Sequence, residues 1–220
     1  HTRLRCDWSS RRVLFRSDKE NKFTYIGKLK MSQEFKLSNL TRGLAGMLAV
    51  GKTSGKYQFD LWSGFEDDKY NPNDLGFLYS NNEITNGLSL RYQQFNENKR
   101  FIRSNISTSI NHQTLFTDQK FVNLNLETSA RMTLKNYTTI FMRANSNPYE
   151  KNDFYEARTG DLTHPLKRSK SIRIGGWIST DYRKKLAIDI GGGGRSNPLY
   201  EGYEYNWRIS PRWKIGRAHV

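Results

Sequence analysis

Between positions 122 and 134 the chain alternates without a break. The even positions read Val122, Leu124, Leu126, Thr128, Ala130, Met132 and Leu134, while the odd ones read Asn123, Asn125, Glu127, Ser129, Arg131 and Thr133. Side chains point to opposite sides along a strand, so this period gives one largely apolar face and one polar face. The stretch far exceeds an ordinary strand of ~5–6 residues. It suits a tilted strand crossing a bilayer, which needs ~9–11.

The rhythm recurs. Tyr57, Phe59, Leu61 and Phe65 alternate with Gln58, Asp60, Trp62, Gly64 and Glu66. Ile102, Ile106 and Ile110 oppose Arg103, Asn105, Ser107, Ser109 and Asn111. Ile140, Met142 and Ala144 oppose Thr139, Arg143 and Asn145, with Phe141 interrupting the polar side. Ile172, Ile174, Ile178 and Tyr182 oppose Arg173, Ser179 and Asp181, and Tyr203, Tyr205, Trp207 and Ile209 oppose Glu204, Asn206 and Arg208. About ten strands are predicted, near 23–37, 43–51, 56–66, 86–96, 101–114, 121–134, 137–147, 171–182, 186–194 and 202–213. Helix-period segments are absent.

Connections are expected to alternate in length. Short ones fall at 52–55, 97–100, 135–136 and 183–185, and longer ones at 67–85, 115–120, 148–170 and 195–201. Short turns at one end and long loops at the other describe an outer-membrane barrel. Tyr57, Phe95, Phe101, Tyr137 and Tyr182 sit beside the short turns, where an interfacial girdle would lie. The expected fold is all-β: an antiparallel up-and-down meander of about ten strands, part of a transmembrane β-barrel. A soluble antiparallel sheet alternates too. It does not explain strand length, loop asymmetry and aromatic placement together.

Both ends read differently from the rest. Residues 215–220, IGRAHV, can be written ATC GGA AGA GCA CAC GTC, the start of a common short-read library adapter. Residues 11–17, RRVLFRS, can be written as the reverse complement of that adapter, and DWSS at 7–10 continues it one frame away. Residues 1–17 and 215–220 are therefore expected to be translated adapter, leaving 18–214 as a barrel fragment. Leu14 and Phe15 can still join a neighbouring strand by propensity alone.

This trimming changes the composition. Setting aside six arginines and one aspartate lowers the net charge from +15 to +10, and the single cysteine, Cys6, goes with them. Without cysteine, the remainder has no disulfide, thiolate or Cys-metal chemistry. The positive charge is dispersed, and KRSK at 167–170 is its densest run. No basic groove with stacking aromatics is visible, so nucleic acid is not an expected partner.

YNPNDLGFLYSNNEI at 70–84, with NDLGFL at its centre, and NPYEKNDFYEARTG at 147–160 resemble the C-terminal region of the DUF5916 family. That resemblance implies a Bacteroidota-type bacterial protein. It also implies an N-terminal domain similar to carbohydrate-binding family 9, expected to lie outside this chain, followed by an outer-membrane-like barrel. The implied partners are outer-membrane lipid and a glycan or small solute. The resemblance carries no activity onto individual residues.

Candidate chemistry is sparse. His112 and His164 stand in no motif. Gly191, Gly192, Gly193 and Gly194 lack the Lys-Ser/Thr that a phosphate loop needs, which points to strand bending or close packing. Asp67, Asp68, Asn71, Asn73 and Asp74 offer hard oxygen ligands without EF-hand spacing, as in a solvated acidic loop. No catalytic residue, cofactor or metal is assigned, and no enzyme activity is expected. Arg103, Glu127, Arg131, Arg143, Arg173 and Arg208 fall on the polar faces and are expected to line a lumen. The expected role is membrane anchoring or solute passage. The alternative is a soluble periplasmic or extracellular sheet that binds a ligand.

One prediction belongs to the ends. Amplifying this locus from source DNA is expected to give a frame without RRVLFRS; its presence inside one genomic reading frame would refute the adapter reading.

Overall fold

The computed structural model describes residues 13–17, 23–36, 39–70, 81–156, 163–197 and 202–215, with backbone alone for 13–17, 23–36, 39–42 and 197. The strands are β1 (Val13–Ser17), β2 (Phe23–Lys36), β3 (Asn39–Lys52), β4 (Tyr57–Glu66), β5 (Glu83–Gln94), β6 (Phe101–Leu115) and β7 (Phe121–Leu134). They continue with β8 (Thr139–Asn147), β9 (Lys151–Asp153), β10 (Leu166–Arg168), β11 (Ser171–Ser179), β12 (Leu186–Asn197) and β13 (Gly202–Trp213). No helix is found among the described residues. Eleven strands form one antiparallel sheet in the order β1-β2-β3-β4-β5-β6-β7-β8-β11-β12-β13, and β9 pairs with β10.

The all-β antiparallel meander is thus present. The ten expected strands all appear, and β1 is an eleventh, set against Phe23–Gly27 of β2. The sheet is open: β1 and β13 are its edges, and among the described residues the two do not meet. A closed barrel is therefore not seen.

The loop asymmetry is weaker than expected. Residues 67–82 and 148–170 are long, but 116–120 and 198–201 are no longer than 95–100 and 180–185 at the opposite end. The segment 148–170 is also not plain loop, because β9 and β10 form a small hairpin within it.

Two β-bulges re-aim side chains on the β6–β7 pair. The register slips between Phe101 and Arg103, so Phe101 lies opposite Leu134 while Arg103 keeps Thr133. A second slip, between Gln113 and Thr114, leaves Val122 outside the ladder. An unpaired bulge residue is free to turn away from its neighbours' faces. Val122 does so, packing with Leu115 and Phe154 against Tyr155.

That cluster knits the loops at the long-loop end. Asn82 is buried; its side chain accepts from the Thr117 amide at 3.0 Å and donates to the Thr117 hydroxyl at 3.1 Å. Asn152 donates to the Phe121 carbonyl at 2.9 Å, and Asp153 pairs with Arg168 at 3.0 Å across the hairpin. The Tyr155 hydroxyl donates to the Asn81 carbonyl. Burial first, then the charges of Glu83 and Asp68, push that phenol up to about 12, so it stays a donor at neutral pH. NDFYEA at 152–157 thus acts up to Glu156 as a staple between loops, and Ala157 and Arg158 lie outside the described residues.

At the other end, Asp181 organises the β11–β12 turn. It accepts Arg183 Nε and Nη2, both at 2.9 Å, and the Arg183 amide at 3.0 Å. The same guanidinium covers the Tyr137 ring of the β7–β8 turn, tying neighbouring turns together. The Arg183 side chain, then its amide, hold the Asp181 carboxyl down from 3.8 to about 2. A depressed carboxyl stabilises the fold above its ordinary pKa, and the contribution drains as pH falls through the folded value.

Two predictions follow the packing. The Asp181 carboxyl carbon is expected to titrate by NMR near pH 2, with Arg183→Gln returning it towards 3.8. Phe154→Ala removes the largest fully packed side chain among the buried members of the loop cluster and is expected to cost about 3–5 kcal/mol. Its first sign should be proteolysis within 148–170 rather than loss of sheet signal in circular dichroism.

Candidate functional site

Antiparallel register turns the alternation of single strands into rows across the sheet. Leu61, Leu88, Ile110 and Leu126 lie in one row. The next joins Leu90, Thr108, Thr128, Ala144, Ile174 and Tyr205 through Gly194. Further along, Met132, Ile140, Ile178, Ile190 and Ile209 align. One face is therefore apolar over most of its width, and it is uncovered. Leu90 is 50% exposed, Ile190 52%, Ile174 57% and Trp207 80%. From Leu124 to Leu134 on β7 the band runs ~33 Å along the strand at ~3.3 Å per residue. A tilt of ~40° projects that to ~25 Å, the height of the apolar band on outer-membrane barrels.

The polar face is the more sheltered, with Thr133 and Asp189 buried. Among the described residues no second layer covers either face beyond the small β9–β10 hairpin, so this difference requires a sheet curled towards its polar side. All six residues singled out in the sequence share this face. Arg103 stands in the row Thr133, Thr139, Ser179 and Asp189, its Nε 3.5 Å from the Thr133 hydroxyl. Arg131 lies in the row of Phe141, Trp177, Gly191 and Arg208. Arg143 shares a row with Ser129, Gly175 and Gly193 and reaches sideways to Glu127 at 2.7 Å. Glu127 and Arg173 fall in the same row, joined by Asn145.

The structure explains the interruption at Phe141. Its ring stacks on Trp177 with centroids 5.8 Å apart, and the Arg131 guanidinium lies 5.6 Å from one ring and 5.4 Å from the other. A cation over aromatic faces is an attractive arrangement, so Phe141 belongs to the polar face's architecture. Arg195 was missed in the sequence because it follows the glycine run; register places it opposite both Arg173 and Glu204. A second unforeseen group centres on Asp189, which accepts from Ser179 at 2.5 Å and from the Tyr182 hydroxyl, and pairs with Arg212 at 3.2 Å. Tyr182 thus serves the polar face rather than an outer girdle. Tyr57 does face the apolar side, its ring 5.2 Å from that of Tyr92.

Other candidates resolve into structural roles. Strand β12 continues through the four glycines, where a Cβ on Gly192 would come within 2.9 Å of the Asn206 carbonyl and one on Gly193 within 3.0 Å of the Ile174 carbonyl. Close packing is what they serve. Asp67 caps a turn, accepting the Leu44 amide at 2.7 Å and the Lys69 amide at 3.0 Å; Asn71, Asn73 and Asp74 lie outside the described residues. No group of three His, Cys, Asp or Glu suits a metal among the described residues. His112 stands opposite Leu124 on the apolar side, its ring 5.9 Å from Phe121. His164 is bonded to Thr163 at 2.6 Å.

No curated protein and no solved structure matches the chain. A family model matches residues 10–218 and is described as a domain of unknown function. By that match the chain belongs to the DUF5916 family.

Proposed function

We propose that this sheet is part of a bacterial outer-membrane β-barrel that anchors a protein in the membrane or passes solutes across it, without chemistry of its own. The supporting observation is the uncovered apolar band. A water-soluble sheet hides its apolar face against a second layer, because exposed contiguous patches beyond a few hundred Å² are rare on soluble monomers. Here the apolar face lies outward and the charged face curls inward, which is the reverse of a soluble domain and the arrangement a bilayer demands. A strand edge carries N–H and C=O groups that lipid cannot satisfy, so in a bilayer the free edges of this sheet require pairing with further strands or with each other. A glycan or small solute is the proposed cargo on the polar face.

The alternative is a soluble periplasmic or extracellular module that binds a ligand. The open strand order favours it.

Leu90 separates the two, since it sits at mid-height on the apolar face, half exposed, opposite Phe59 and Thr108. Leu124 is less suitable because it lies at the band's outer margin beside Tyr149 and Pro165. In the intact protein, Leu90→Arg is expected to cost about 2–4 kcal/mol at the midplane of a bilayer, while Leu90→Trp folds as wild type does. Folding into lipid vesicles, read by heat-modifiable electrophoretic mobility, checks this. A tolerated arginine means that the face meets water. Equal damage from tryptophan and arginine means that it packs against protein, where overpacking costs ~1–3 kcal/mol.

A further inference from the structure

On the polar face, one register row brings together Asn145 of β8, Arg173 of β11, Arg195 of β12 and Glu204 of β13. The adjacent row on the same face holds Arg143, Gly175, Gly193 and Asn206. These residues rim a depression of ≈ 530 Å³, with Phe141 at one side. Its floor at Gly175 and Gly193 is bare backbone. Close strand approach disfavours a side chain at Gly193, since a Cβ there would also crowd Gly175 Cα at 3.2 Å. The volume lies in the ~300–1,000 Å³ range of small-ligand sites.

The charges around it are not balanced within the protein. Arg143 is held by Glu127 at 2.7 Å. Arg173 and Arg195 stand directly opposite each other, and neither guanidinium forms a hydrogen bond or ion pair among the described residues. Like charges directly opposite on a sheet repel, and the single Glu204 opposite Arg195 offsets only one of the two positive charges. Two planar guanidinium forks facing one space match the oxygens of a carboxylate or phosphate.

We propose that this depression is an oxyanion subsite. Arg173 and Arg195 hold the carboxylate or phosphate group of a small solute, and the solute's body rests over Gly175 and Gly193 beside Phe141. Arg143, fixed by Glu127, closes one side, and Glu204 at the rim disfavours a solute that carries a second acidic group there. The inference rests on the reading of the polar face as the solute-facing side and names the class of solute: small anions, such as uronic acids or sugar phosphates.

Titration calorimetry on the intact protein folded in detergent micelles at low salt tests it, with glucuronate, inorganic phosphate and neutral glucose as probes. One or both anions are expected to bind saturably, and glucose is not; which anion binds identifies the oxyanion source. Arg173→Gln and Arg195→Gln are each expected to weaken binding ~10-fold or more, as for loss of a charged hydrogen-bond pair. Lys99→Gln, in the β5–β6 turn, should leave binding unchanged. Should either glutamine variant fail to fold, Arg173→Lys and Arg195→Lys keep the charge but lose the fork, and several-fold weakening is expected. Anion binding no stronger than glucose binding, or equal loss in Lys99→Gln, overturns the proposal. Vesicle insertion is read separately, so failure of the barrel reading is distinguishable from failure of the subsite.

Discussion

Everything in this fold depends on backbone pairing that keeps every strand in step. Each antiparallel ladder from β2 to β13 joins residues of the same parity class on each side, so apolar positions far apart in sequence fall into continuous rows. A slip of one residue would send a strand's apolar set to the charged face. The two bulges on the β6–β7 pair lie near the strand ends, leaving the rows between Asn105 and Gln113 intact. The structure tolerates irregularity only where a strand leaves the band.

This dependence explains why so little of the molecule is a core in the usual sense. Among the described residues the buried hydrophobic side chains are Ala45, Tyr70, Leu115, Val122, Phe154 and Ala187. Such a handful cannot offset the conformational entropy of ordering the chain in water, which costs ~1–2 kcal/mol per residue in backbone freedom alone. The missing stabilisation must come from whatever covers the apolar band. The bilayer of the proposed function would supply it without shape matching, and would also make each unpaired ladder group costly.

The long strands were legible in the sequence because the period of two is a property of neighbouring residues, visible from Val122 to Leu134 with no knowledge of partners. Their number, order and faces followed from it. What could not be read were features created by register between distant segments. Arg195 looked like the end of a glycine run until pairing set it against Arg173. Phe141 looked like an error in the pattern until Trp177 came to lie beside it. The β9–β10 hairpin has only three residues per strand, too short for any period to show. Loop lengths misled because cross-strand pairing, not local pattern, sets the strand ends: β5 and β12 take in 83–85 and 195–197, which had been assigned to loops, while β5 and β11 stop at Gln94 and Ser179, short of their expected ends.

The glycine patch shows how packing and recognition can share one cause. Gly176 cannot carry a side chain, because a Cβ would fall 2.3 Å from the Phe141 carbonyl, and on alternate sides of β12 a Cβ on Gly192 or Gly193 would be crowded at 2.9 and 3.0 Å. The strands therefore approach closely, and both faces lose their side chains over the same area. On the apolar side this leaves backbone flanked by Met142 and Trp207. On the polar side it leaves a shallow floor around which Arg143, Arg173 and Arg195 are the tallest groups. A demand for close strand contact on one level thus becomes an accessible, positively charged surface on the next.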